Sequence, residues 1–135
     1  MDIFLVSACL LGVKTRYDGR IITSTACRRE VEGGLCIPVC PEQLGGLPTP
    51  RTAGDLDGGD GHDVLAGKSR VISRTGEDVT ENYIRGARQV LTIAKHQKIT
   101  KVVFKARSPS CGLTPEVGVT AALLQAEGYE IVEVD

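Results

Sequence analysis

The chain has 135 residues, of which 41% are hydrophobic and 24% are charged, which is enough apolar material for one globular domain without disulfide support. Its net charge of -1 gives no basic field for a phosphate backbone, so we expect no polynucleotide partner. No apolar run approaches the length of a membrane span, and the N-terminal residues lack the basic region of a signal peptide. We therefore expect a single cytoplasmic domain over residues 1–135, without a membrane partner.

Apolar runs of strand length alternate with helical patterns along the chain. The predicted strands cover residues 3–7, 36–40, 101–106 and 129–134, and the predicted helices cover residues 24–32, 78–94 and 114–128. Ser24 is the predicted cap of the first helix, and residues 78–81 resemble a capping box at the start of the second. Strands that alternate with helices are typical of an α/β fold, because each helix returns the chain across the sheet. We therefore expect a mostly parallel sheet with helices on both faces.

A glycine-rich, acidic stretch lies between the second predicted strand and the long helix. Its aspartates resemble those of a calcium-binding loop, but Ala66 stands where the bidentate glutamate belongs. We therefore interpret residues 51–63 as a loop without a calcium site. Residues 64–73 are predicted to form a small β-hairpin around Gly67 and Lys68.

Three cysteines follow three of the predicted strands. Cys9 comes shortly after the first strand, and Cys40 closes the second. Cys111 lies in the loop after the strand 101–106. Binding and catalysis in an open parallel sheet collect at the carboxyl ends of the strands. The pattern therefore predicts that these three thiols meet at one edge of the sheet.

The remaining cysteines are interpreted as core residues, Cys27 in a helix and Cys36 inside the second strand. An odd number of cysteines in a chain of this size disfavours a disulfide framework. Residue type and spacing leave three interpretations of the other three thiols. They form a metal or cluster site, or include a catalytic thiol, or are ordinary buried cysteines.

Four motifs in order resemble a known bacterial family. They are Ser7–Gly12 with Arg16–Gly19, Cys40–Arg51, Gly76–Thr80 and Lys105–Gly112. These motifs are similar to those of a family of formerly unknown function that includes the thiouracil desulfidases. The resemblance runs from about residue 3 to the C-terminus, and no motif of the family is missing.

The resemblance implies a [4Fe-4S] cluster held by Cys9, Cys40 and Cys111, with one iron left open for substrate. It also implies catalytic roles for Glu42 and Ser108. The implied reaction is hydrolysis of the C–S bond of a small thiolated pyrimidine, a base or nucleoside such as 2-thiouracil or 4-thiouridine, with release of sulfide. Glu42 would activate water, and Ser108 with the N–H groups of residues 110–112 would donate hydrogen bonds to the base or to the developing oxyanion.

The sequence alone is also compatible with two other functions. A non-enzymatic module that carries a cluster or sulfide needs the three cysteines but no general base, so Glu42 discriminates against it. An enzyme with Cys111 as nucleophile lacks an obvious histidine partner, since His62 and His96 lie in a polar loop and at a helix end.

Several polar residues of the motifs also allow purely structural roles. Glu42 and Ser108 suit turn and loop hydrogen bonds. Arg16 and Arg51 could bind a ligand oxygen or could pair with neighbouring carbonyl and carboxylate groups. Tyr17 suits stacking on a pyrimidine.

Overall fold

The structure is a computed structural model and describes residues 1–135. Its strands are β1 (Ile3–Ser7), β2 (Leu35–Val39), β3 (Gly54–Asp57), β4 (Arg70–Ser73), β5 (Lys101–Lys105) and β6 (Ile131–Val134). Its helices are α1 (Thr25–Glu30), α2 (Pro41–Leu44), α3 (Gly61–Leu65), α4 (Thr80–Lys95) and α5 (Val119–Ala126), and a short 3-10 helix, Ala8–Leu11, follows β1. No helix has both the length and the apolar character needed to cross a bilayer.

The main sheet has four parallel strands in the order β2-β1-β5-β6. In the central register, Leu5 of β1 lies between Ile37 of β2 and Val102 of β5. The chain moves from β1 toward one edge and from β5 toward the other, so the strand order reverses between these two strands. Such a switch point opens a crevice at the carboxyl ends of the strands.

Both faces of this sheet are covered by helices, as the sequence predicts. On one face Leu5 and Phe104 pack in a core cluster with Val90 of α4 and Leu124 of α5. On the other face Phe4, Val6 and Val103 pack with Cys27 of α1. Alternate residues of one strand therefore serve two cores, which is why the strands are apolar along their whole length. The α/β class is confirmed.

The small antiparallel hairpin exists, but the prediction placed it wrongly. It consists of β3 and β4, with Leu56 opposite Val71. Residues 51–63, interpreted as a loop, contain all of β3 and the first residues of α3. Residues 64 and 65, predicted as strand, end α3, which begins at a capping box between Asp60 and Asp63. The acidic residues that resembled a calcium loop thus include the cap of a helix.

Two helix starts also differ from the predictions. The capping box expected at Asp78 does not form; Asp78 instead accepts a hydrogen bond from the Thr80 N–H, and α4 begins at Thr80. The last helix begins at Val119 rather than near Thr114, because residues 113–118 form an irregular segment. By contrast, the predicted cap of α1 is confirmed, since the Ser24 hydroxyl accepts from the Cys27 N–H at 3.1 Å.

Helix α2 lies so close to α4 that their backbones are in contact. A Cβ added at Gly86 of α4 would lie 1.9 Å from the Pro41 carbonyl oxygen, and one at Gly45 would lie 2.0 Å from the Asn82 carbonyl oxygen. Only glycine permits this approach at both positions. The contact places α2, and with it Glu42, directly after the end of β2.

Candidate functional site

A cavity of about 470 Å³ opens at the carboxyl ends of β1, β2 and β5. Its walls include all five residues predicted for the site, namely Cys9, Cys40, Cys111, Glu42 and Ser108. The three thiols that lie far apart in sequence are therefore brought together at one edge of the sheet. The parallel order of the strands is the reason, because each thiol follows the carboxyl end of a strand.

Cys9 lies in the 3-10 helix that follows β1 and is half-buried. Burial raises the pKa of its thiol, and the ammonium group of Lys105 opposes that rise. A negative charge on Cys40 raises the pKa of Cys9 further.

Cys40 occupies the N-cap position of α2, and Pro41 fills the first helical position. Proline there has the backbone angle that a helix start requires. The Cys40 thiol donates to the Thr15 carbonyl oxygen at 3.7 Å, and its sulfur accepts from Arg51 Nη2 at 3.8 Å. The Cys40 side chain is thus held from two directions.

Cys111 is buried, with 4% of its surface exposed, in the loop that follows β5. Burial raises the pKa of Cys111 well above its ordinary value, a hydrogen bond from Ser7 lowers it, and charges on Cys9 and Cys40 raise it again. A catalytic thiol needs a lowered pKa and a basic partner. Neither His62 nor His96 lines the cavity, so the geometry disfavours Cys111 as a nucleophile.

The Glu42 carboxylate is held on both oxygens. Arg51 Nε donates to Oε1 at 2.9 Å, and the Ser110 hydroxyl donates to Oε2 at 3.0 Å. The ion pair is largely buried, since only 6% of the Arg51 side chain and 12% of the Glu42 side chain are exposed. Arg51 and Ser110 therefore use two of the roughly four acceptor positions of the carboxylate.

Tyr83 of α4 completes the surroundings of Glu42. Burial raises the pKa of Tyr83, and the adjacent Glu42 carboxylate raises it further. The phenol is therefore harder to ionise than that of an ordinary tyrosine. Tyr83 lies within the helix predicted over residues 78–94, and no local signal in the sequence links it to Glu42.

The Ser108 hydroxyl oxygen accepts from the N–H groups of Ser110 and Cys111, at 3.2 and 3.0 Å. The Gly112 N–H donates to the Ser108 carbonyl oxygen at 2.9 Å. The expectation that N–H groups of residues 110–112 are free to stabilise an oxyanion is therefore wrong, because all three already have acceptors within the loop. The Ser108 hydroxyl donates no hydrogen bond to an acceptor within the protein.

Basic side chains predominate around the rest of the cavity. Besides Arg51, they are Arg16, Arg74, Lys105 and Arg107. Arg107 directly precedes Ser108 and adopts a left-handed backbone conformation, with φ of 62°. A non-glycine residue in that region costs free energy and is common at functional sites. The half-exposed Tyr17 ring lies in the same wall, with the Arg16 guanidinium 5.8 Å from its centre.

The two cysteines interpreted as core residues are absent from the cavity wall. Cys27 is fully buried with Phe4 and Val6, and Cys36 packs against the same cluster. All five cysteines are free thiols. No group of three or more His, Cys, Asp and Glu side chains is close enough to hold a single metal ion.

Comparison with known proteins places these features in a family. A family model described as 2-thiouracil desulfurase matches residues 4–135. A Bacillus subtilis (strain 168) protein named YbbK, described as uncharacterized, is 40% identical over 141 aligned positions that cover 95% of this chain and 93% of that protein. The solved structure of the [4Fe-4S]-dependent thiouracil desulfidase TudS matches with a TM-score of 0.80 and 33% identity, covering 98% of this chain and 91% of TudS.

Proposed function

The chain belongs to the 2-thiouracil desulfurase family, and on this basis we propose that it is an iron–sulfur-dependent thiouracil desulfidase. The main support for this proposal is that three thiols and one carboxylate line a single cavity. Cys9, Cys40 and Cys111 come from three separate loops there, and Glu42 lies two residues from one of them. The proposed desulfidase domain covers residues 1–135.

The residues present fit a [4Fe-4S] cluster through the chemistry of their donors, since three free thiols line one cavity. Soft thiolates are the ligands that such clusters take. Cys9, Cys40 and Cys111 would hold it. When bound through three cysteines, the cluster supplies an open iron that acts as a Lewis acid toward a soft thiocarbonyl sulfur.

The proposed role of Glu42 is that of general base. Its remaining acceptor capacity can orient a water molecule and take its proton, while Arg51 and Ser110 hold the carboxylate in place. Addition of water to the thiolated carbon forms a C–O bond, and the C–S bond then breaks with release of hydrosulfide. The products are the oxo compound and sulfide, with no net electron transfer.

The proposed role of Ser108 is to donate a hydrogen bond to the reacting substrate. Its oxygen accepts two loop N–H groups, so the side chain is fixed and the hydroxyl proton remains available. A fixed donor stabilises developing negative charge, because it does not have to reorganise during the reaction.

The proposed substrates are thiolated pyrimidine bases or nucleosides, such as 2-thiouracil or a 4-thiouridine-like compound. The Tyr17 ring in the cavity wall provides a face on which a flat pyrimidine can stack. We further propose a cytoplasmic location, since five free thiols suit a reducing compartment.

Anaerobic turnover tests the proposed function. The protein is reconstituted with iron and sulfide and incubated separately with 2-thiouracil and 4-thiouridine. Sulfide release in equal amount to uracil or uridine is the expected result. A protein that holds its full cluster and releases no sulfide from either compound would instead indicate a cluster or sulfide carrier.

A further inference from the structure

All five N–H donors of the Arg51 guanidinium have an acceptor. These acceptors are Glu42 Oε1 at 2.9 Å, the Pro48 carbonyl at 3.2 Å, Thr49 Oγ1 at 2.7 Å, the Thr15 carbonyl at 2.8 Å and Cys40 Sγ at 3.8 Å. Five is the full donor capacity of an arginine. Arg51 therefore has no donor left for a substrate oxygen or phosphate, although it lines the cavity.

These contacts connect Arg51 to three segments that contain or adjoin the cavity cysteines. It holds the loop after β1 twice, since Nη2 donates to the Thr15 carbonyl and its backbone N–H donates to the Tyr17 carbonyl at 2.8 Å. It holds Cys40 through the sulfur. It reaches the loop after β5 indirectly, through Glu42 and the hydrogen bond from Ser110.

We infer that Arg51 is the positioning residue that fixes the Cys40 sulfur and the Glu42 carboxylate relative to each other and holds the three cysteine loops in place before any cluster binds. This inference rests on the proposed function for the identity of the bound group. The contacts themselves belong to the chain alone. Outer partners of metal ligands commonly contribute 10–100-fold to metal affinity, because they orient the ligand.

The planar fork of arginine is essential to this role. A lysine at position 51 keeps the positive charge but presents three donors on one nitrogen, so it cannot reach a carboxylate, two carbonyls, a hydroxyl and a sulfur together. Arg51→Lys therefore keeps the positive charge and removes the planar guanidinium with its five donors, so it separates the two contributions. Arg51→Gln removes both.

Hydrogen exchange in the cluster-free chain tests the inference without any enzymatic assay. In Arg51→Lys and Arg51→Gln, amides of residues 12–19 and 110–112 are expected to exchange about 10-fold faster, because the charge-assisted hydrogen bond to the Thr15 carbonyl is lost and Glu42, which holds Ser110, loses its Arg51 partner. Amides of β5 should be unchanged. The matched control is Arg70→Gln, which removes an exposed arginine–aspartate pair with Asp78 outside the cavity.

The reconstituted protein provides two further readouts. Loss of cluster to a chelator is expected to be at least about 10-fold faster in both Arg51 variants than in wild type or Arg70→Gln. The reduction potential of the cluster is expected to be more negative in Arg51→Gln, since an N–H donor to a ligand sulfur stabilises the reduced form. If Arg51→Lys matches wild type in loop exchange and cluster retention, the inference is overturned.

A buried Glu42 without its partner is a risk to folding in Arg51→Gln. The double variant Glu42→Gln with Arg51→Gln removes the unpaired charge and is expected to fold with faster exchange still present in residues 12–19. If residues 12–19 of this double variant exchange at the wild-type rate, the inference is also overturned. A wild-type protein that takes up no cluster would contradict the proposed function, while the exchange data would still decide the role of Arg51.

Discussion

At the scale of single residues, Glu42 has both a structural and a proposed chemical role. Its carboxylate accepts hydrogen bonds from both Arg51 and Ser110. Glu42 therefore connects the start of α2, where Cys40 lies, with the loop after β5, where Cys111 lies. Arg51 and Ser110 do not use the whole acceptor capacity of this carboxylate, so a water molecule can also bind there. Substitution with glutamine separates the two roles, because the amide keeps the shape and most hydrogen bonds but does not take up a proton.

We expect Glu42→Gln to assemble its cluster and to lose turnover by roughly 10²-fold, the usual scale for a lost general base. Anaerobic sulfide release and cluster absorbance are measured in the same samples. Glu30→Gln is the matched control, since Glu30 also pairs with a cation, Lys101 at 2.9 Å, but lies outside the cavity. Desulfuration by Glu42→Gln at the wild-type rate would remove Glu42 from the chemistry.

Ser108→Ala tests the second proposed catalytic residue. The variant leaves the N–H groups of Ser110 and Cys111 without their acceptor and removes the proposed donor to the substrate. We expect turnover to fall by about 10²-fold. Ser108→Thr keeps the hydroxyl and should retain most of the activity. Equal loss in both variants would show that the loop, rather than the hydroxyl, matters.

At the scale of elements, the contact between α2 and α4 sets the position of the site. Gly86→Ala would place a Cβ 1.9 Å from the Pro41 carbonyl, so α2 must move away from α4. Overpacking of this kind costs about 1–3 kcal/mol of the free energy of unfolding. Denaturant unfolding is the measurement, with the exposed Arg88→Ala on α4 as a control expected to stay within about 0.5 kcal/mol. Wild-type stability in Gly86→Ala would contradict the account of this contact.

Glu133 of β6 holds the segment that follows the Cys111 loop. Burial raises the pKa of Glu133, but hydrogen bonds from the Thr114 hydroxyl, the Leu113 N–H and the Thr114 N–H outweigh this and leave it below its ordinary value of 4.5. A lowered pKa means that the stabilisation is fully present above pH 4.5 and is lost as the pH falls through the lower, folded-state value. Cluster-free Glu133→Gln should therefore melt below wild type at neutral pH and converge with it in acid. Parallel melting curves at every pH would count against these bonds.

The elements that the sequence predicted well are those with strong local patterns. The apolar runs of β1 and β5 and the cap at Ser24 gave correct strands and a correct helix start. The hairpin was misplaced because β3 has one apolar residue among glycine and aspartates, and only its pairing with β4 makes it a strand. Long-range pairing of this kind leaves no local signal.

At the scale of the whole molecule, the strand order explains how much of the site was predictable. The parallel pattern was sufficient to predict that Cys9, Cys40 and Cys111 meet, because each follows the carboxyl end of a strand. The network around Glu42 was not predictable in this way. Its partners Arg51, Tyr83 and Ser110 lie on three different segments, and their contacts depend on how α2, α4 and the loop after β5 pack together.

The central claim is that Cys9, Cys40 and Cys111, and no other cysteines, hold the cluster of a desulfidase. Iron and sulfide content of anaerobically reconstituted serine variants tests it most directly, with sulfide release measured in parallel. Wild type, Cys27→Ser and Cys36→Ser are expected to contain about four iron and four sulfide per chain, whereas each of the three cavity variants should lose cluster and activity together. Full cluster content in Cys9→Ser, Cys40→Ser or Cys111→Ser, or its complete loss in Cys36→Ser, would contradict the account.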